Sequence, residues 1–134
     1  MSEQNKQVIL RWFDEVWNNA RESAIDEMFH PKGKAHGLEA EAIVGTDGFK
    51  PFYRKFMETF ANIHVKVDRI FADGDYVTAL CTVNAVYRKE DKPVSFSGTT
   101  ITRMENGQIV EGWNHFDFLT MYLQMGKINP EQLV

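Results

Sequence analysis

Near the end of the chain, Trp113, His115 and Asp117 alternate with Gly112, Asn114 and Phe116. Alternate residues of an extended strand point to one side, so this spacing puts an indole, an imidazole and a carboxylate on a common face. His115 and Asp117 would stand about 7 Å apart along the strand, near enough to share a substrate or a water. A carboxylate in an apolar recess has its pKa raised by desolvation, which suits proton transfer near neutral pH. Asp117 is therefore the candidate acid/base and His115 its candidate partner. Trp113 would build the wall and offer one indole donor. Tyr53 could bring a hydroxyl to the pocket mouth, and Asn84 and Thr100 could orient a ligand by hydrogen bonds. Each has a plainer alternative: Asp117 as the cap of the turn after it, His115 as a half-buried satisfied ring, Tyr53 as core with a wet tip, Thr100 as a good strand former.

The elements that must position these groups follow from periodicity. Ile9, Trp12, Phe13, Val16 and Trp17 keep helical spacing and predict an amphipathic helix over residues 3–19. Ser23 with Asp26 opens a short second helix, which His30-Pro31 ends because the residue before proline avoids the helical region. Residues 34–38 could form a short strand. A third helix starts near Thr46-Asp47 with Phe49, Phe52, Tyr53, Phe56 and Phe60 as its stripe, and Pro51 requires that it lie in the first turn. From residue 64 the period changes to two, predicting strands at 64–72, 75–88, 94–104 and 108–118, then a short turn or helix at 119–126. Asp73-Gly74 and Asn106-Gly107 are two-residue hairpin signals. Helices first and a strand meander after them predict one α+β domain over residues 1–134, with three N-terminal helices on one face of a curved antiparallel sheet.

Turn lengths then assign faces. A two-residue turn at Asn106-Gly107 pairs Thr100 with Trp113, Gly98 with His115 and Phe96 with Asp117. A five-residue loop at 89–93 adds Val86, Asn84, Thr82 and Leu80, and the Asp73-Gly74 turn adds Tyr76, Phe71, Val67 and Val65. The resulting face has an apolar end and a polar end, with a gap at Gly98 where a ligand could sit. A single bulge would reverse part of this assignment. The other face would carry Val77, Ala79, Cys81, Val83, Ala85 and Ile101, an apolar stripe with no helix left to cover it, so a homodimer through that face is expected.

Composition narrows the class. The 134 residues are 43% apolar with a net charge of −4, which fits a globular domain and argues against a nucleic-acid partner. Scattered Lys and Arg and the lack of a long apolar run argue against a membrane partner. The single cysteine, Cys81, and a polar N-terminus fit a cytoplasmic protein. His30, His36, His64 and His115 show no metal-ligand spacing, and no phosphate loop or dinucleotide fingerprint is present, so neither a metal nor a cofactor is expected.

The pattern Trp113-x3-Asp117-x6-Gln124-x-Gly126, preceded by Asn106-Gly107-x-Ile109-x-Glu111, resembles the closing segment of the SnoaL-like polyketide cyclases. Gly74-Asp75-x-Val77 and the Phe49, Phe52, Tyr53, Phe56 helix are similar to that family as well. It lies in the nuclear transport factor 2-like superfamily, with the ketosteroid isomerases and limonene epoxide hydrolases. The resemblance implies a cone-shaped α+β fold with a deep hydrophobic pocket, usually dimeric and free of cofactor. It gives Asp117, by motif position, the role of general acid/base in an aldol closure. It also implies that His36, in a strand between helices, lines the cone, with a surface histidine as the equal alternative. No Asp-Arg-Asp set falls on the pocket face, which sets the epoxide hydrolases aside. The expected function is cofactor-free aldol cyclisation or isomerisation of a hydrophobic carbonyl compound. Asp117 would move the proton, and His115, Asn84 or Tyr53 would stabilise the enolate. Trp113, Phe96, Thr100 and His36 would complete the ligand site. The alternative is a dimer of the same fold that binds a small ligand or a partner protein without turnover.

Overall fold

The N-terminal apolar stripe does wind into a helix, but its second half is looser than expected. In the computed structural model, which describes residues 2–133, α1 (Ser2–Arg11) runs directly into a π-helical segment, Trp12–Asn18. α2 (Ser23–Met28) opens at Ser23, and the chain is extended from Phe29 onward. β1 (Phe29–His36) is longer than the strand expected at 34–38, and β2 is the pair Ile43–Val44. α3 (Gly45–Thr59) buries Phe49 and Tyr53. Pro51 lies in its second turn, not its first; Pro51 and Asp47, whose carbonyl loses an N–H partner, are both exposed, so water can replace the missing bond.

Four long strands follow: β3 (Phe60–Asp73), β4 (Tyr76–Tyr87), β5 (Lys92–Glu105) and β6 (Gln108–Phe116). α4 (Phe118–Met125) and a 3₁₀ turn (Pro130–Leu133) end the described chain. The sheet is six-stranded, curved and unclosed, in the order β2-β1-β6-β5-β4-β3. β1 and β6 run parallel and every other pair antiparallel, so the sheet is mixed and not purely antiparallel. The helices cover its concave face, and the core between them holds Ile9, Val16, Ile25 and Met28 against Val77, Ala79, Cys81 and Val83. No helix among the described residues is long and apolar enough to cross a membrane.

Register decides which side chains reach that core, and it departs from the expected pairing at three points. The β4–β5 loop has four residues, not five, since Tyr87 pairs with Lys92 and Val83 with Phe96. That one-residue change turns Asn84, Thr82 and Leu80 away from Phe96. The Asn106-Gly107 turn has two residues with positive φ, as expected of type I′, but the ladder slips between Arg103 and Met104. Val110 is the extra residue, so Ile101 and not Thr100 opposes Trp113, and Thr99 opposes His115. In β3 a second slip at Asp68 separates Val65 and Val67, which face inward, from Phe71, which faces outward. Phe71 therefore shares the outer face with Leu80 and Tyr76.

The two faces are thus exchanged for β4 and for most of β6. Val77, Ala79, Cys81, Val83 and Ala85, expected on an open face awaiting a second copy, are buried under the helices. Only Ile101 of that stripe points outward. The gap expected at Gly98 does not exist either: a Cβ there would lie 2.3 Å from Cδ1 of Phe116, whose ring fills the space.

Candidate functional site

Between the concave face and the helices lies a cavity of about 90 Å³. Its helical wall is aromatic, with Trp12, Phe13 and Trp17 from the π-helical segment and Phe49, Phe52 and Phe56 from α3. An α-helix would turn Trp17 about 140° from Trp12, five steps of roughly 100° each. The wider π turn brings both indoles to the cavity, in keeping with the frequency of such turns at functional sites. Two contacts hold that segment. The Tyr53 hydroxyl donates to the Val16 carbonyl at 2.9 Å. The Asn18 side chain accepts from the Val65 N–H at 2.6 Å and donates to the Val65 carbonyl at 3.0 Å.

The sheet wall supplies Ile63, Val65, Val83, Phe96 and Phe116, and one polar patch. Thr100 Oγ1 donates to Asn114 Oδ1 at 2.9 Å, and Asn114 Nδ2 donates to the His36 carbonyl at 2.9 Å. An amide nitrogen carries two hydrogens, so Asn114 keeps one donor for a ligand. Thr102 donates to the Val77 carbonyl at 3.3 Å. Among the described residues that line this cavity, none has an ionisable side chain. That volume is below the roughly 150 Å³ of a cavity that holds benzene, so a larger ligand needs wall side chains to move.

The expected site residues divide between this cavity and the rest of the molecule. Phe96 and Thr100 line the cavity. Tyr53 is buried in the core and its hydroxyl is spent on Val16; burial, with Glu22 adding a smaller push, raises its pKa. Asn84 is exposed on the outer face. Trp113 also faces outward, stacked on His36 with ring centroids 5.8 Å apart and tilted against Tyr76 at 6.4 Å. His36 Nε2 lies 2.7 Å from Glu111 Oε2, and Arg103 approaches the other Glu111 oxygen at 3.7 Å. The His36 hydrogen bond holds the Glu111 carboxyl below its usual range.

His115 and Asp117 are brought together, but outside the cavity. Both line a shallow groove of about 560 Å³ on the outer face with Leu80, Ser97 and Thr99. Asp117 is the N-cap of α4: its carboxylate accepts from the Thr120 hydroxyl at 2.6 Å and from the Thr120 N–H at 3.0 Å. Those two bonds hold its pKa below the usual carboxylate value, the reverse of the desolvated, raised value expected. Cys81 is buried, and that burial, with a smaller contribution from Asp68, pushes its thiol up to about 12. No cluster of three or more His, Cys, Asp or Glu among the described residues could hold a metal ion.

Sequence reading missed Asn114, Phe116 and the π-helical aromatics. The available signal lay in β4: the stripe Val77, Ala79, Cys81, Val83 and Ala85 has no polar member, whereas Thr78, Thr82 and Asn84 interrupt the other. The wholly apolar stripe belongs under the helices.

Solved structures share this architecture. A protein from Jannaschia sp. CCS1, assigned provisionally as a SnoaL-like polyketide cyclase, superposes with a TM-score of 0.86 at 20% identity, over 96% of this chain and 95% of that one. One from Bacillus cereus ATCC 10987, assigned provisionally as a polyketide cyclase, gives 0.84 at 26% identity over 94% and 83%. A Catenulispora acidiphila protein with a ketosteroid isomerase-like fold, crystallised with trimethylamine, gives 0.78 at 17% over 89% and 92%. No curated sequence is similar enough to match. The sequence model of the SnoaL-like polyketide cyclases matches residues 7–125. Nearly the whole chain is spanned by that match, and the protein belongs to the SnoaL-like polyketide cyclase family.

Proposed function

We propose that this chain binds a small apolar molecule bearing a hydrogen-bond acceptor such as a carbonyl, held in the cavity between helices and sheet. The observation that carries the reading is the lining itself, apolar and aromatic apart from the Thr100–Asn114 patch. Burial of an apolar body supplies affinity at about 25 cal/mol per Å², and the spare Asn114 donor fixes orientation. The test is an NMR titration with a neutral ketone such as 2-octanone. The Asn114 amide and the Trp12 and Trp17 indole signals should shift together. Shifts confined to His115, Asp117 and Thr99 would overturn the reading.

Acid/base turnover is the second reading, and one observation favours it: His115 and Asp117 share a groove. In that reading Asp117 moves a proton of a carbonyl compound beside His115, with Trp113, Asn84 and His36 on the same outer face. Its carboxylate, anchored by Thr120, is a weak base, so binding in the cavity is the better supported function.

A homodimer through the outer face belongs to the same proposal. Phe71 is 65% exposed, Tyr76 46% and Leu80 41%, three large apolar side chains on one sheet face. Leu80→Glu should convert a sedimenting dimer to a monomer at micromolar concentration. A cytoplasmic setting is proposed on the single, buried Cys81.

A further inference from the structure

Leu38, Phe52, Phe56 and Phe118 have two exposures at once. They line the inner cavity, and they also line a second space of about 600 Å³ that lies between α3, α4 and the β4–β5 loop. One layer of apolar side chains therefore separates the cavity from an outer vestibule. The vestibule floor continues the apolar surface through Phe60, Met121 and Met125.

Its rim has a different character. Lys55, Arg88, Lys89 and Lys127 line it, against two carboxylates, Glu39 and Glu58. None of those four cations lies within ion-pairing distance of a carboxylate among the described residues. Elsewhere the chain pairs its cations readily: Lys50 meets Asp26 at 2.8 Å and Arg54 meets Glu22 at 2.7 Å on the same helix that carries Lys55. The whole chain has a net charge of −4, so an excess of positive charge at this mouth runs against its composition. Charges of one sign around a recess with low-dielectric walls concentrate counter-ions there.

We infer that the ligand is an amphipathic acid, its apolar body passing Leu38, Phe52, Phe56 and Phe118 into the cavity and its carboxylate staying in the vestibule with Lys55, Arg88, Lys89 and Lys127. This rests on the apolar-ligand reading of the cavity and adds the chemistry of the ligand's other end. The division of labour is physical: the cavity lining offers no cation to an anion, and the rim offers little apolar wall to a chain. The carboxylate keeps most of its hydration in the open vestibule, so its binding carries little of the desolvation penalty that a buried charge would incur.

Isothermal titration calorimetry of the full chain with decanoate, decanol and decylamine tests the inference. Decanoate should bind about tenfold more tightly than decanol at roughly 0.05 M salt, the gap should narrow at about 0.5 M, and decylamine should bind most weakly. The exposed-rim variant Lys55→Gln/Arg88→Gln/Lys89→Gln/Lys127→Gln should bring decanoate down to the decanol affinity and leave decanol unchanged. Decanol binding as tightly as decanoate, or a quadruple variant that keeps the full preference, overturns the charge inference while leaving the cavity reading intact. If none of the three probes binds, the cavity reading itself falls and this inference falls with it.

Discussion

The two faces of the sheet are made from the same strands, one residue out of step, yet their chemistry hardly overlaps. The inner face joins the aromatic helical wall and, among the described sheet residues that line the cavity, brings hydrogen-bonding side chains at Thr100, Thr102 and Asn114. The outer face holds Trp113, His36, Glu111, Arg103, His115 and Asn84, several of them paired with one another. Groups that could move protons thus stand in water or are held by exposed partners. No ionisable side chain is found among the described residues that line the cavity, and the two titratable groups that burial does reach, Tyr53 and Cys81, are pushed up and so stay protonated. At the cavity, desolvation and carboxylate or imidazole chemistry are separated by the thickness of a strand, which is why we propose a binding cavity before an acid/base site.

The largest expected break in this arrangement is Gly98→Ala. A Cβ at Gly98 would meet Phe116 at 2.3 Å on the ring and 2.6 Å at its Cα, so backbone as well as side chain must yield. The variant should lose about 3 kcal/mol of stability in urea unfolding, the upper end of overpacking costs. Gly74→Ala is the control: its φ is +59° but nothing lies within 4 Å, so only about 1 kcal/mol of conformational strain is expected. Equal losses in the two variants would mean that Phe116 does not pack on Gly98 and that the inner wall is built otherwise.

Asn114→Asp moves a titratable group from the chemistry of one face to the environment of the other. The new carboxylate would face an apolar cavity and the His36 carbonyl, so its folded pKa should lie above the unfolded value of about 3.9. Stability relative to wild type is then retained below about pH 4 and lost as pH rises from the unfolded pKa to the folded one. Each tenfold weakening of the carboxyl's acidity on folding is worth about 1.4 kcal/mol, and a deficit of about 3 kcal/mol at pH 7 is expected from urea melts across pH. A flat deficit from about pH 4 to about pH 8 would show that the position is wet.

How much of this could be read in the chain depends on whether periodicity or counting carries the information. Every helix and every long strand is visible as a repeat of apolar residues, because burying one face of an element requires that repeat. Faces are harder, because they require the exact number of residues between turns. Val110 and Asp68 each add one residue to a strand without any Gly or Pro to mark it, and the Arg88–Asp91 loop is one residue shorter than its polar composition suggests. Each such step exchanges inside for outside. The π turn is hidden for a related reason: Trp12, Phe13, Val16 and Trp17 satisfy ordinary helical spacing, and the wider winding shows in the backbone, where the Asn19 N–H donates to the Asp14 carbonyl five residues back at 2.8 Å. Phe96 and Thr100 keep the face that counting assigns them because their strand keeps its alternation throughout. His115 and Asp117 were misplaced because theirs does not.

The smallest effect, and the one that separates a cap from a base most cleanly, belongs to Asp117. Its carboxylate is held below its usual pKa by the Thr120 hydroxyl and N–H, so it contributes stability that is present above the unfolded value of about 3.9 and lost as pH falls through the lower folded value. Asp117→Asn keeps an acceptor for the Thr120 N–H and gives up the charge at the start of α4. The melting temperature should therefore drop slightly at pH 7, and wild type and variant should converge as the pH approaches about 2. 2-Octanone affinity should not move, since Asp117 lies outside the cavity lining. A variant more stable than wild type at pH 7 would be the signature of a desolvated base relieved of its charge, and it would return Asp117 to the centre of the chemistry. Convergence at low pH with unchanged ketone binding leaves the carboxylate as the cap of α4 and the cavity, not the outer groove, as the place where the ligand is held.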